Sequence, residues 1–158
     1  GNAIRQANRS GILVVVVTNQ PVIARGELSE AGLREIHNKM DTLLGQDGAY
    51  IDDLYYCPHY PDVGYDGEIT ELKVKCNCSQ PNAGLFQLAS EELNISMEDS
   101  WMVGDSTSDM LAAKRAGVKG ILVKTGYAGN DGKYVCEPEF IVNDLGAAVK
   151  LITKVIEK

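Results

Sequence analysis

No stretch of the chain approaches the roughly 20 consecutive apolar residues that a helix needs to cross a bilayer, which argues against an integral membrane protein. Lys and Arg nowhere cluster, and 15 of them against 22 Asp and Glu give a formal charge of −7. Nucleic acid is thereby disfavoured as a partner, because phosphate backbones are held mainly by grouped cations. A small phosphorylated ligand stays open, since backbone N–H groups and a bound cation can hold one at any net charge. No secretory signal stands at the amino end, and the four cysteines are few and grouped. A reducing compartment, the cytoplasm, is therefore expected. Repeats, low-complexity tracts and linkers are also missing. With 158 residues and 44% hydrophobic content, the chain predicts a single domain over 1–158, monomeric, with one core between a sheet and its helices.

What is present is concentrated in two tight clusters. Cys57-Pro58-His59 and Cys76-Asn77-Cys78 place three thiols and an imidazole either side of the segment Tyr60 to Lys75. Four such donors on two short arms suit a tetrahedral structural Zn²⁺. The intervening segment holds Pro61, Gly64 and Gly67 and no sustained apolar period, so the metal is expected to fix a loop that cannot fix itself. The competing readings are buried thiols grouped by chance, or a disulfide, although a Cys-x-Cys pair does not easily bridge to itself. A redox role is weaker still, given that spacing and the nearby His59. Cys136 stands alone and reads as an ordinary apolar residue.

Apolar patterning sets out the elements. A weakly helical stretch from Ala3 to Ser10 ends at Gly11, and the β-branched run Ile12 to Val17 predicts a strand buried on both faces. Ser29 is a plausible N-cap for a helix carrying Leu33, Ile36, Met40, Leu43 and Leu44. A strand over 51–57, a helix over 83–93, a strand over 100–105 and a helix over 108–116 closed by Gly117 follow. Strands at 120–124 and 140–142 and a terminal helix over 145–156 complete the chain, with Lys150 to Lys158 holding that helix's solvated positions. The alternation predicts an α/β fold, a Rossmann-like parallel sheet with helices on both faces and a zinc-binding loop, its active residues at the carboxyl ends of strands.

Two strand ends carry the chemistry. Thr18-Asn19-Gln20 offers a hydroxyl, amides and free backbone N–H groups to a phosphoryl oxygen, although a plain turn uses the same residue types. In Val103-Gly104-Asp105-Ser106-Thr107-Ser108-Asp109, Asp105 can coordinate Mg²⁺ and Asp109, one helical turn on, can bind the ion or orient its shell. The alternative makes Ser106 or Ser108 a helix cap and the aspartates favourable N-terminal charges. Arg25 follows Thr18 closely enough to meet a second phosphate. His37 reads as an exposed helical residue, and Trp101, Tyr55 and Tyr56 as packing beside strands.

VVVVTNQPVIARG over Val14 to Gly26, with YYCPH, CNC and WMVGDSTSDM, resembles the haloacid dehalogenase (HAD) superfamily. Within it the chain is similar to the zinc-containing D-glycero-D-manno-heptose 1,7-bisphosphate phosphatases and the related histidinol-phosphate phosphatases, from about residue 3 to about residue 145. The resemblance implies Mg²⁺-dependent hydrolysis of a sugar bisphosphate, most closely the heptose, through an aspartyl-phosphate. By motif, Thr18 holds the phosphoryl group, Asn19, Gln20 and Pro21 contact substrate, and Asp105 binds Mg²⁺ with help from the Ser106 carbonyl. Cys57, His59, Cys76 and Cys78 hold zinc in the loop that shapes the pocket.

Two departures stand out. The family's Asp-x-Asp pair, which supplies the nucleophile, is absent, and Asp52-Asp53 has the wrong spacing to replace it. The expectation is that the strand bearing the pair is missing from the chain, leaving an apolar gap in the sheet and no attacking carboxylate. Ser79-Gln80-Pro81 stands where the family carries Arg-Lys-Pro. Ser79 and Gln80 can still donate hydrogen bonds to substrate, but the lost charge implies a rate penalty of about 10²-fold or more. The alternative to an enzyme is a zinc-stabilised phosphosugar-binding module without turnover.

Overall fold

Helices and strands alternate along the chain as the patterning predicts. The computed structural model describes residues 1–157, so Lys158, the last of the solvated positions assigned to the terminal helix, lies outside the described residues. In order, α1 spans Asn2–Arg9, β1 Val15–Asn19, α2 Glu30–Gln46, β2 Asp53–Cys57 and α3 Gly84–Leu93. Then come β3 Trp101–Gly104, α4 Thr107–Ala116, β4 Lys119–Val123, β5 Phe140–Val142 and α5 Leu145–Ile156, with one 3₁₀ turn at Thr70–Leu72. Local chemistry sets the boundaries. The Ser29 hydroxyl accepts the Gly32 N–H at 3.0 Å to start α2, and the Asp144 carboxylate accepts the Ala147 N–H at 2.8 Å to start α5. Gly117, at φ 76°, ends α4 in the left-handed conformation that costs a side chain dearly.

All strand pairs are parallel, but they form two sheets rather than one. β1 lies beside β2, with Val15 opposite Asp53 and Asn19 opposite Cys57. The second sheet runs in the order β3-β4-β5. The expectation of a strand over 12–17 buried on both faces is corrected here. β1 begins at Val15, every one of its residues is only half-buried, and Leu13 is exposed. The reason is that β1 has a single strand neighbour, so its side chains lack the flanking rows that a central strand enjoys.

Helices hold the two sheets together. Val15 and Val17 pack on Leu85 and Ala89 of α3, while Val17 and Met102 meet the same group of Phe86, Ala112 and Ala113 from α3 and α4. Trp101 and Val103, alternating with Met102 along β3, pack instead on Ala148 and Ile152 of α5. Thus α3 and α4 cover one face and α5, with α1 against it, the other. On α2 only Leu33 and Leu44 are buried; Ile36 and Leu43 are exposed. His37 departs from its expected exposure: it is half-buried and edge-on to Tyr56, ring centroids 6.0 Å apart. Tyr55 is buried, and Tyr56 and Trp101 are half-buried. Among the described residues no helix is long and apolar enough to cross a membrane.

Ile121, fully buried at the centre of β4 and against α5, is a direct test of this packing. Ile121→Ala is expected to cost about 2–5 kcal/mol in urea denaturation, whereas Ile36→Ala on the exposed side of α2 should stay within about 0.5 kcal/mol of the parent.

Candidate functional site

β2 ends in Cys57, and the chain continues through Pro58 to His59, placing one donor of the first arm on the last residue of the strand and the other just past the sheet. The second arm comes back over them. Cys57 Sγ lies 3.4 Å from Cys76 Sγ, 3.0 Å from Cys78 Sγ and 3.5 Å from His59 Nδ1, and His59 Nδ1 lies 3.3 Å from Cys78 Sγ. All four donor atoms fall within 4.8 Å of one another. The sulfurs are too far apart for bonds of about 2.05 Å, and all the cysteines are free thiols. This removes the disulfide reading. Burial and a hydrogen bond with Cys78 push the Cys57 thiol far above its ordinary range, and burial also raises Cys78. At Cys76 burial is outweighed by hydrogen bonds from Cys78, the Ser79 N–H and Cys57, and the thiol is lowered. Three sulfurs and one imidazole nitrogen converging on a single point fit a tetrahedral Zn²⁺, whose charge takes the place of the thiol protons. Gly84 lets α3 start directly behind this arm, since a Cβ there would lie 2.5 Å from the Asn77 carbonyl oxygen.

The segment between the arms is better organised than its sequence suggests. The Glu68 carboxylate accepts the Gly64 and Tyr65 N–H groups at 3.0 and 3.1 Å and faces Lys73 Nζ at 3.4 Å. These contacts, the Tyr65 N–H first, hold Glu68 below the usual carboxylate range. Tyr60 and Tyr65 pack edge-to-face at 5.7 Å, and the Lys73 ammonium sits 5.1 and 4.9 Å from their ring centroids. Arg25 reaches the same two rings from the other chain segment at 5.5 and 5.6 Å. Its Nη2 donates to Glu27 at 2.9 Å, and its Nε makes an ionic contact with the same carboxylate at 2.8 Å. The Ile69 N–H also donates to the Ala24 carbonyl at 2.9 Å. The loop is therefore fastened to residues 22–27 as well as to its cysteines.

At the end of β1, the Thr18 hydroxyl accepts from Gln20 Nε2 at 3.3 Å, which leaves its own hydrogen free to donate. The Gln20 N–H is taken by the Cys57 carbonyl at 2.8 Å, and Pro21 opens a helical turn whose carbonyl accepts the Arg25 N–H at 3.1 Å. The Asn19 side chain bonds the backbone of Gln80 at both ends: Oδ1 accepts the Gln80 N–H at 2.9 Å and Nδ2 donates to its carbonyl at 3.3 Å. The Ser79 N–H points to Cys76 Sγ at 3.3 Å. Gln80 Nε2 is buried with no hydrogen-bond partner. Thr18, Asn19, Gln20, Ser79, Gln80 and the four metal donors thus form one connected unit.

Asp105, Ser106 and Asp109 sit at the end of β3 in the other sheet, and among the described residues no hydrogen bond joins them to that unit. Asp105 Oδ2 accepts the Tyr127 N–H at 2.8 Å, and its carbonyl accepts the Gly129 N–H at 2.8 Å. Ser106 caps α4: its hydroxyl accepts the Asp109 N–H at 3.1 Å, while Asp109 Oδ2 accepts the Ser106 N–H at 3.1 Å and its hydroxyl at 2.8 Å. This is the reciprocal capping box, so the cap reading holds for Ser106 and Asp109 and not for Ser108. The Ser106 carbonyl accepts the Met110 N–H at 3.3 Å, with a second lone pair left over. Asp131, which nothing in its sequence neighbourhood marks out, grips the same helix start, accepting the Thr107 N–H and hydroxyl at 2.7 Å each. Its burial is outweighed by those two bonds, and its carboxyl is lowered.

A profile of the HAD-hydrolase-like family matches residues 77–148. The D-glycero-β-D-manno-heptose-1,7-bisphosphate 7-phosphatase of Haemophilus ducreyi is 47% identical over 130 residues, covering 81% of this chain and 69% of that protein. The protein of the same name from Vibrio cholerae is 44% identical over 119 residues, covering 75% and 62%. The chain thus spans roughly two thirds of the length of these relatives. In structure it resembles the D,D-heptose 1,7-bisphosphate phosphatase of B. bronchiseptica complexed with magnesium and phosphate, with a TM-score of 0.83, 30% identity and coverage of 98% of this chain and 81% of that one. The Burkholderia thailandensis phosphatase of the same description gives 0.68 at 26% identity, covering 99% and 83%.

Protein prepared under reducing conditions is expected to bind one equivalent of Zn²⁺, read by elemental analysis, and to give a tetrahedral thiolate spectrum with Co²⁺; Cys78→Ser should weaken binding sharply. A second expectation concerns acid. Because the Asp131 carboxyl is lowered in the fold, its stabilisation is fully present above the unfolded value of about 3.9 and is lost as pH falls through the lower folded value. Asp131→Asn should therefore lose stability at pH 6 and flatten the stability change below pH 4 in denaturant titrations.

Proposed function

We propose, from the premise that this chain belongs to the D-glycero-β-D-manno-heptose-1,7-bisphosphate 7-phosphatase family of HAD-like hydrolases, that it forms the phosphate-binding body of a Mg²⁺-dependent phosphomonoesterase acting on that heptose bisphosphate. The observation that carries the reading is the connected unit at the end of β1. The Thr18 hydroxyl is oriented by Gln20, its neighbour Asn19 is locked to Gln80, and all are tied to a four-donor metal centre. In this reading Thr18 donates to a phosphoryl oxygen, and Gln20 fixes the hydroxyl that does so. Gln80, whose buried amide has no partner among the described residues, and Ser79 beside it are the further substrate contacts of this reading. Asn19 acts as a strut, because both its polar atoms are already used. Pro21 starts the turn that presents Arg25 to substrate.

Zn²⁺ on Cys57, His59, Cys76 and Cys78 anchors the wall of the pocket away from the reacting phosphorus. Asp105, with the spare lone pair of the Ser106 carbonyl, would hold Mg²⁺, and Asp109 steadies this corner through its cap. Bound there, Mg²⁺ would neutralise charge on the phosphoryl group. Hydrolysis by the covalent route needs an attacking carboxylate, and the sequence contains no Asp-x-Asp pair. The chain as given is therefore expected to bind without turning over. The neutral Ser79-Gln80 pair also favours the second reading, a binding module. A small phosphorylated sugar is the partner in both, and thiols kept free as metal ligands support a cytoplasmic location.

Calorimetry with Mg²⁺ should detect binding of heptose 1,7-bisphosphate to the chain, weakened about 10-fold by Thr18→Val, with no phosphate released. Joining a strand that bears an Asp-x-Asp pair to its amino end should restore Mg²⁺-dependent phosphate release. Binding without release by that joined protein would favour the module, and no binding at all would end both readings.

A further inference from the structure

Lys73 is the least expected charge in the molecule. Its side chain is 4% exposed, and among the described residues its ammonium makes no hydrogen bond and its only ionic partner, Glu68, is 3.4 Å away. Leaving an ammonium so poorly paired in a buried place is costly unless something is gained by it. What it touches is the Tyr60 and Tyr65 pair, within 5.1 Å of both ring centroids, and these are the rings on which the Arg25 guanidinium also rests. Two cations thus share one aromatic pair, and each is balanced by a single carboxylate, Glu68 for Lys73 and Glu27 for Arg25.

The two cations differ in access. Lys73 is closed off, while the Arg25 side chain is 24% exposed and its partner Glu27 is 48% exposed. Of the Arg25 nitrogens, Nε and Nη2 face Glu27, and Nη1 makes no hydrogen bond among the described residues. The Arg25 Nε is buried, but Glu27 is the more exposed partner and can turn out to solvent, leaving the outer nitrogens of Arg25 to an incoming dianion. The two rings hold the guanidinium in place before any ligand arrives, and a guanidinium so held offers the two-pronged geometry that phosphate oxygens accept. Arg25 also stands seven residues after Thr18, on the turn that Pro21 begins.

The geometry points to Arg25 as the residue that selects for a second phosphate on the sugar, held ready by the Tyr60, Tyr65 and Lys73 stack, with Lys73 a positioning residue that never meets the ligand. This rests on the sugar-bisphosphate reading above. It places the preference for two phosphates over one in the contact between the metal loop and residues 22–27, apart from Thr18.

The test compares dissociation constants for heptose 1,7-bisphosphate and heptose 7-phosphate, by calorimetry with Mg²⁺ and Zn²⁺ present. The parent chain should favour the bisphosphate by about 10-fold or more. Arg25→Met should bring the ratio close to 1 while leaving the monophosphate constant unchanged. Lys73→Met should lower the ratio part of the way, and Lys73→Arg should restore it. Zinc content and unfolding midpoint serve as the control for folding, with Arg25→Lys as the gentler variant expected to lose most of the preference. Equal weakening of both ligands by Arg25→Met, or an unchanged ratio, would overturn the assignment. Thr18→Val speaks to the cradle alone: if it alters neither constant while Arg25→Met still abolishes the preference, the phosphoryl role of Thr18 fails and that of Arg25 stands.

Discussion

The arrangement depends on one side-chain amide. Asn19 gives its carbonyl oxygen to the Gln80 N–H and takes the Gln80 carbonyl with its NH₂, so it pairs with a peptide unit as a neighbouring strand would. This links the last residue of β1 to a segment that is not itself a strand. Its effect is to fix, relative to Thr18, the chain just after Cys76 and Cys78, the second pair of candidate metal donors. The Gln20 N–H does the same for the first arm through the Cys57 carbonyl. The Cys/His cluster and the end of β1 are therefore joined by one side-chain link and one backbone link.

Charge is used differently in the two halves of this unit. In the Cys/His cluster the donors are an imidazole and thiols whose protons a cation could replace. Around Tyr60 and Tyr65, two cations lie against the aromatic rings, and at Lys73 burial strengthens the contact by excluding water. The loop thus has a polar fastening at its ends and an aromatic one in its middle. A hydrogen-bonded Glu68 turn joins them.

How much of this was visible in the sequence follows the separation of the partners. Ser29 and Gly117 announced helix ends because each acts within a turn of itself. The Cys57, His59, Cys76 and Cys78 set was visible because ligand chemistry declares itself in short arms, whatever the loop between them does. The bond from Asn19 to Gln80 crosses 61 residues and that from Thr107 to Asp131 crosses 24, and ordinary polar residues carry no mark of such partners. Lys73 and the tyrosines were passed over because that segment shows no apolar period, yet its order comes from cation–ring contacts that have no period. Ser106 and Asp109 were ambiguous for a physical reason, since a helix N-terminus and a divalent ion attract the same side chains. The Val run announced a strand correctly, but an apolar run cannot say which of its edges will find a neighbour.

That last point has a consequence for how the molecule behaves among its own kind. Among the described residues β1 and β3 each have one strand neighbour, so the opposite edge of each has no ladder partner. Such margins are templates on which extended segments accrete, the route by which chains recruit one another into fibrils. The charge of −7 opposes such recruitment by mutual repulsion, and salt screens that repulsion.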